Sequence, residues 1–210
     1  MIKRIVLSLA ALMLAPAAHA QQLTEVIIAT QLGDITVALE TQRAPVTAAN
    51  FLRYVDLKKF DGTAFYRAMR LDWGEQPNGL IQGGTQNDPK RTLPPVAHER
   101  TSDTGVKHGA GAISMARYDP GTATGDFSIT LSPQPGLDAD PASADANTRE
   151  GYAAFGHVTK GMEVARAIFA APTDPAKGAG FMKGQMIAAP VRIISVRRAP
   201  PDQSPAAAAR

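Results

Sequence analysis

The chain has 210 residues, a formal charge of +3 and no cysteine. The absence of cysteine excludes a disulfide framework, a thiolate metal site and a cysteine nucleophile. The small net charge gives no indication of a nucleic-acid partner, whose phosphates are bound by clustered basic residues. The length suits one domain that can bury a sizeable core.

The first twenty residues have the layout of a secretory signal peptide. Lys3 and Arg4 precede a short apolar run, and the segment ends on the small-residue pattern Ala18-His19-Ala20. We predict cleavage after Ala20 and export to a periplasm, with no membrane association afterwards; the alternative is an uncleaved N-terminal anchor. Because the segment holds two basic and no acidic residues, its removal lowers the formal charge from +3 to +1.

The next part of the chain predicts a β-hairpin, one helix and a series of short strands. Residues 26–39, VIIATQLGDITVAL, alternate apolar and polar side chains around a tight turn. Pro45 suits a helix start, and apolar residues at helical spacing extend the predicted helix over 45–57. Short apolar runs separated by Gly, Pro, Asp and Thr then predict strands at AFYRAM, GLIQGG, AISMA, FSITL and AAFGHV. This pattern is typical of an antiparallel barrel or sandwich.

The C-terminal part adds a second helix and a last strand. The helix is predicted over 161–170, before a segment broken by prolines and glycines, and the strand at 191–198. Residues 199–210 have the composition of a disordered tail. Two loops are long for a compact β domain, at 71–79 and 132–151, and such loops often carry function.

Searches for hydrolase and metal motifs give little. The chain has no G-x-S-x-G sequence, and no spacing links a serine to a particular histidine. After cleavage the histidines are His98, His108 and His157, and none has the spacing of a helical zinc pair. We therefore expect no metal and no cofactor.

Seven segments in order carry a family resemblance: TQLGDITVAL, APVTAANFLRYV, DGTAFYR, LIQGG, GAGAISMAR, ATGDFSI and YAAFGHVTKGMEVARAI. In this order and at these separations the chain resembles the cyclophilin family of peptidyl-prolyl cis-trans isomerases. The resemblance implies a mainly β fold, a closed antiparallel β-barrel of about eight strands capped by two α-helices, over residues 21–198. It also implies acceleration of X-Pro bond rotation without a cofactor.

The resemblance assigns roles to particular residues. Arg67 matches the catalytic arginine of the family, and Gln82 matches the glutamine that holds a substrate carbonyl and helps orient that arginine. The remaining implied substrate-binding positions, along the proline pocket and peptide groove, are Leu80, Met115, Ala116, Asp126, Ser128, Leu137 and Tyr152.

Several of these positions depart from the family pattern. Tyr66 replaces a histidine, Gly79 a pocket phenylalanine, Asp126 a glutamine and Ser128 the aromatic floor of the proline pocket, while Gly136 stands where an aromatic often borders the groove. Loss of the aromatic floor removes apolar contact with a prolyl ring.

Two consequences of these departures follow as hypotheses. Asp126 is expected near Arg67, where it would either pair with the guanidinium or orient it. Trp73, the only tryptophan, is expected to fold back into the space beside Gly79.

Three functions remain open at this point. The first is a monomeric periplasmic isomerase that acts on proline-containing unfolded or nascent exported polypeptides. The second is a peptide-binding chaperone or scaffold with weak or no isomerase activity. The third is an interaction module that uses the 132–151 loop on one partner. Only the first gives Arg67 and Gln82 a chemical purpose.

Overall fold

The structure is a computed structural model that describes residues 23–200. The strands are β1 Thr24–Thr30, β2 Gly33–Leu39, β3 Ala64–Arg70, β4 Gly79–Gly84, β5 Ala112–Met115, β6 Asp126–Thr130, β7 Ala154–Lys160 and β8 Met186–Arg198. The helices are α1 Pro45–Asp56, α2 Thr101–Thr104, α3 Ala146–Glu150 and α4 Met162–Ala170. The predicted signal peptide and residues 201–210 of the predicted tail lie outside the described part of the chain.

The eight strands form a closed antiparallel barrel in the order β1-β2-β7-β5-β6-β4-β3-β8. Successive side chains of a strand point to opposite faces, so one set from each strand lines the apolar core of the closed barrel. On β1, for example, Val26 and Ile28 are fully buried while the residues between them are not. The predicted barrel is confirmed, and the open sandwich is wrong.

The two predicted helices are present at opposite ends of the barrel. Phe51 of α1 packs edge-on against Phe127, which in turn contacts Phe65 at the start of β3. At the other end of β3, Arg70 donates to the carbonyl of Phe169 on α4. The observed bounds differ from the predicted ones by one residue at one end of each helix.

The long loop at 132–151 contains structure that the sequence pattern does not indicate. It holds a 3-10 turn, Pro135–Leu137, and the short helix α3. Asp145 caps α3, since its carboxylate accepts the Thr148 backbone N–H at 2.7 Å. Helices this short have too few residues for an apolar period to be visible. Within residues 23–200, no helix combines the length and the apolar character needed to cross a membrane.

Candidate active site

Four polar residues form a row across the outer face of the barrel. In the strand register Arg67 on β3 pairs with Gln82 on β4, Gln82 with Ser128 on β6, and Ser128 with Ser114 on β5. Residues paired directly across antiparallel strands point to the same face, about 5 Å apart. Their chain neighbours, such as Phe127, are buried in the core. The row therefore lies on the outside of the sheet.

Arg67 is held by two glutamines. Its Nη1 donates to Gln82 Oε1 at 2.7 Å, while Nε and Nη2 both donate to Gln185 Oε1 at 2.8 and 2.7 Å. A guanidinium carries five N–H groups, so two remain without an acceptor among the described residues. Burial lowers the pKa of Arg67, but arginine stays protonated in proteins. The site thus presents an oriented cation with two available donors.

Gln82 is fixed by a second hydrogen bond on its other side. Its Nε2 donates to the Tyr66 hydroxyl at 2.7 Å, and that hydroxyl donates to Asp126 Oδ1 at 3.1 Å. Burial, with Asp126 as a second cause, raises the pKa of Tyr66, so the hydroxyl keeps its proton and can donate. These bonds fix the orientation of the Gln82 amide, with its carbonyl oxygen toward Arg67 and its NH₂ group toward Tyr66.

Asp126 makes a different set of contacts from the two that the sequence suggested. Besides Tyr66, its carboxylate accepts the backbone N–H groups of Gln86 at 2.8 Å and Asn87 at 3.3 Å. No ion pair joins it to Arg67 within the part of the chain that the structure describes. Burial raises the pKa of Asp126, and the donated hydrogen bonds offset part of that rise. Asp126 therefore influences Arg67 through Tyr66 and Gln82.

The expected proline pocket is polar at its floor. Ser128 is 7% exposed, and its hydroxyl makes no hydrogen bond to the described residues. Leu80, two residues before Gln82 on β4, is 6% exposed and lies on the same face of the strand. A pocket built from these side chains offers less apolar contact to a prolyl ring than an aromatic floor would.

The space beside Gly79 is filled by Met69 of the paired strand β3 and by Phe169 of α4. A Cβ at Gly79 would lie 2.0 Å from the Met69 carbonyl oxygen and 3.1 Å from the Phe169 ring, and the residue has a φ of +137°. Trp73 is 64% exposed. The hypothesis that Trp73 fills this space is therefore wrong, because Met69 and Phe169 already occupy it.

The predicted groove residues fall into two groups. Leu137 and Tyr152 are adjacent, since the Tyr152 N–H donates to the Leu137 carbonyl at 2.9 Å, and both are partly exposed. The Ala116 N–H donates to the Asp126 carbonyl at 2.9 Å, which places it beside the site. Met115 is 2% exposed and packs in the barrel core. The Met115 side chain therefore points into the core, whereas Leu80 and Ser128 lie on the outer face and the substrate-binding roles of all these positions stay predictions.

One constellation that the sequence search missed lies next to the row. His108 Nε2 is 2.9 Å from Ser114 Oγ and His108 Nδ1 is 2.8 Å from Asp138 Oδ1, although no motif links these residues. Burial lowers the pKa of His108 despite the opposing effect of Asp138. Ser114 and His108 are 1% and 2% exposed. Because substrate cannot reach them, these bonds serve to satisfy buried polar groups.

Within the described residues, no cluster of three or more His, Cys, Asp or Glu side chains is arranged to hold a metal ion.

Gln185, the second glutamine that contacts Arg67, is not predicted from the sequence, because it follows a loop without motif or periodicity. Only the register of β3 with β8, where Arg67 pairs with Met186, brings that loop to the site.

Comparisons with known proteins agree with the resemblance. Residues 25–198 match the family model for cyclophilin type peptidyl-prolyl cis-trans isomerases. A protein of Dickeya dadantii named peptidyl-prolyl cis-trans isomerase A is 39% identical over 174 residues, covering 80% of this chain and 82% of its own length. A peptidyl-prolyl cis-trans isomerase of Acinetobacter baylyi is 35% identical over 201 residues, covering 94% and 96%.

A solved structure supports the fold independently. A cyclophilin type peptidyl-prolyl cis-trans isomerase of Cryptosporidium parvum, crystallised in the presence of the dipeptide Ala-Pro, superposes with a TM-score of 0.66 at 22% identity. The match covers 84% of this chain and 99% of that one. At this identity the likeness speaks for the barrel alone.

Proposed function

Because this chain belongs to the family of cyclophilin-type peptidyl-prolyl cis-trans isomerases, we propose that it accelerates X-Pro rotation in exported polypeptides and so assists their folding. In this proposal Arg67 is the catalytic residue. The main supporting observation is that neutral side chains orient Arg67 and that two of its N–H groups have no acceptor among residues 23–200.

The chemistry of the reaction explains why an oriented cation suffices. Rotation about an X-Pro bond faces a barrier of about 18 to 20 kcal/mol, because the amide loses its resonance in the twisted state. The prolyl nitrogen then regains a lone pair, which it does not offer in either planar form. A donor aimed at this nitrogen binds the transition state more tightly than the ground states, which is the condition for catalysis.

The remaining residues of the face would bind the substrate. Gln82 turns its carbonyl oxygen to Arg67 and its amide to Tyr66, so its place in the row puts it beside the reacting bond. Ala116, Leu137 and Tyr152 border a surface on which an extended peptide would lie. A rate gain of four decades needs only about 5.5 kcal/mol, which a few such donors supply without a covalent step.

The export role rests on the predicted signal peptide and on nothing in the barrel. Lys3, Arg4 and the apolar run after them favour a periplasmic location and clients that are unfolded as they arrive there. N-terminal sequencing of the protein from the periplasmic fraction tests this part. A first residue of Gln21 is expected, whereas a retained Met1 would contradict it.

A peptide-binding chaperone with little turnover is the second candidate. The observation that favours it is the polar floor at Ser128, which provides less apolar contact to a prolyl ring than an aromatic residue would. The two candidates differ in whether Arg67 matters for more than binding.

The deciding experiment is a protease-free isomerisation assay with a short X-Pro peptide. The protein, expressed from its full coding sequence, is compared with Arg67→Ala and with Arg67→Lys, which keeps the charge but loses the planar fork. We expect Arg67→Ala to lower kcat/KM by about 10²- to 10³-fold while the circular dichroism spectrum is unchanged. Equal acceleration by wild type and Arg67→Ala would overturn the proposal.

A further inference from the structure

Arg67 has a second partner at a position far along the chain. Gln185 lies 118 residues later, directly before β8, and its carbonyl oxygen accepts from both Nε and Nη2 of Arg67. These two N–H groups form one edge of the guanidinium plane. A single oxygen held between them fixes the plane of the guanidinium as well as its position.

Gln185 is itself firmly placed. Its amide Nε2 donates to the Phe181 carbonyl at 2.8 Å, so the carbonyl oxygen of the side chain is the end that faces Arg67. Its backbone carbonyl accepts the Ala68 N–H at 2.9 Å, directly beside Arg67 on β3. The side chain therefore arrives at the site already oriented.

The two glutamines hold Arg67 from both neighbouring strands. In the barrel β3 lies between β4 and β8; Gln82 is on β4, and Gln185 is joined to the start of β8. With one of them absent, the guanidinium would be free to turn about its last bonds. With both present, the guanidinium is held on two sides.

Both acceptors are neutral. No carboxylate lies within 4.0 Å of the Arg67 guanidinium among the described residues, whereas Arg197 and Arg198 each pair with an aspartate at 2.7 Å. A carboxylate in the place of Gln185 would hold the same edge but would neutralise much of the charge. An amide orients the cation and leaves its charge for the substrate.

We propose that Gln185 is a positioning residue for the isomerisation, which together with Gln82 orients the Arg67 guanidinium without neutralising it. The inference rests on the proposed function of Arg67. It adds a residue from the segment between α4 and β8, for which the sequence predicts no role.

The test measures kcat and KM for Gln185→Ala and Gln185→Glu with the same X-Pro peptide. We expect Gln185→Ala to lower kcat roughly ten- to a hundredfold with less than about a twofold change in KM, because orientation and not affinity is lost. The control is Gln76→Ala, an exposed glutamine that hydrogen-bonds only within its own loop and should leave both constants unchanged.

Gln185→Glu should change the pH dependence of kcat, which it would not do if Gln185 only supported the fold. The variant keeps an acceptor for Arg67 but loses the amide that donates to the Phe181 carbonyl, and its carboxylate pairs with Arg67 when ionised. Its kcat should therefore be reduced near neutral pH. It should rise relative to wild type as pH falls through the pKa of the introduced carboxyl, which pairing with Arg67 lowers below the value near 4.3 of model peptides. A pH profile parallel to that of wild type would overturn the proposal.

A double-mutant cycle separates this inference from the proposed function. If Gln185 acts through Arg67, Gln185→Ala should cause no further loss in the Arg67→Ala background. If Arg67→Ala loses activity while Gln185→Ala keeps full kcat, the role of Gln185 is refuted and the proposed function is not. Full activity in Arg67→Ala refutes the proposed function itself.

Discussion

Arg67 and Ser128 lie on the same outer face, two strands apart, yet their surroundings differ. Around Arg67 a continuous set of hydrogen bonds runs from Gln185 through the guanidinium and Gln82 to Tyr66 and on to a buried carboxylate. Ser128 itself makes no side-chain hydrogen bond to the described residues, and neither the floor nor the position of Gly136 carries an aromatic ring.

The difference separates two tasks that an isomerase must perform. In the proposed function the Arg67 region would lower the barrier, which needs charge and orientation. The Ser128 region would bind the prolyl ring, which needs apolar contact area. The side chains that orient Arg67 are all present, whereas the region around Ser128 lacks an aromatic ring. We therefore expect turnover to be retained and affinity for short peptides to be weak.

The largest expected effect is on the free energy of unfolding, and it comes from a substitution at Gly79, one of the positions that depart from the family pattern. At Gly79 an added Cβ meets the Met69 carbonyl oxygen at 2.0 Å and the backbone has a φ of +137°. We predict that Gly79→Ala lowers the free energy of unfolding by about 3 kcal/mol, through backbone strain and overpacking. Chemical denaturation measures this.

Gly136→Ala is the matched control. A Cβ there has no atom within 4 Å and no left-handed backbone to strain. Its unfolding free energy should stay within about 0.5 kcal/mol of wild type. Equal stability of Gly79→Ala and wild type would mean that the fold does not require glycine at this position, as it does not at Gly136. An aromatic residue could then be restored to the pocket there.

A smaller effect is expected from rebuilding the floor. Ser128→Phe places a ring in the row between Gln82 and Ser114, on the outer face. We predict a KM for an X-Pro peptide about tenfold lower, worth about 1.4 kcal/mol of apolar contact, with kcat within about twofold of wild type. Steady-state isomerisation kinetics measure both constants, and Ser128→Ala serves as the size control.

The kinetics of Ser128→Phe test the contrast between the two regions. A folded Ser128→Phe with unchanged KM would show that affinity does not depend on the floor. A fall in kcat together with KM would show that binding and turnover are coupled along the row, and the separation of tasks would be wrong.

Asp126 gives a pH-dependent prediction of lesser size. Burial raises its pKa above the value in the unfolded chain, so the folded state holds the proton more tightly. As pH rises from the ordinary carboxyl pKa to the raised one, the unfolded state loses its proton first, and stability falls. Denaturation from about pH 4 upwards should therefore show the free energy of unfolding of wild type declining relative to that of Asp126→Asn.

Comparison with Asp126→Asn cancels the opposite contribution of carboxylates such as Asp56 and Asp61, whose pKa values are lowered mainly by hydrogen bonds from Arg198 and Arg197. A difference that stays constant with pH would mean that Asp126 does not titrate in this window. Its hydrogen bonds from Gln86, Asn87 and Tyr66 would then outweigh its burial.

Much of the barrel follows from local patterns in the chain. Period-two alternation, the proline at the start of α1 and the Gly-rich turns specify the elements, and the order of the motifs specifies the closed topology. The resemblance also placed Gln82 beside Arg67, because both lie in motif segments whose strands are sequential neighbours.

Contacts between distant segments could not be predicted in the same way. Tyr66 and Asp126 are separated by 60 residues, and each taken alone is only a departure from the family pattern. Their hydrogen bond depends on strand register, which alternation does not specify across the barrel. Phe169 against Gly79 and Gln185 against Arg67 were missed for the same reason.

The smallest expected effect concerns the long loop before β4. Trp73 is 64% exposed and lines a cavity of about 430 Å³ with Ser132 and Arg166, so it does not lie over the row. We predict that its fluorescence is unchanged when the protein is saturated with a proline peptide that lacks aromatic residues. Because Trp73 is the only tryptophan, the emission spectrum reports this loop alone.

Arg67→Ala measured in parallel distinguishes loop movement from catalysis, since it should bind peptide without turning it over. A blue shift that saturates with peptide in both proteins would mean that the loop closes over the substrate and withdraws Trp73 from water. The weak pocket around Ser128 would then be completed by the loop on binding, and the contrast with the Arg67 region would hold only for the free protein.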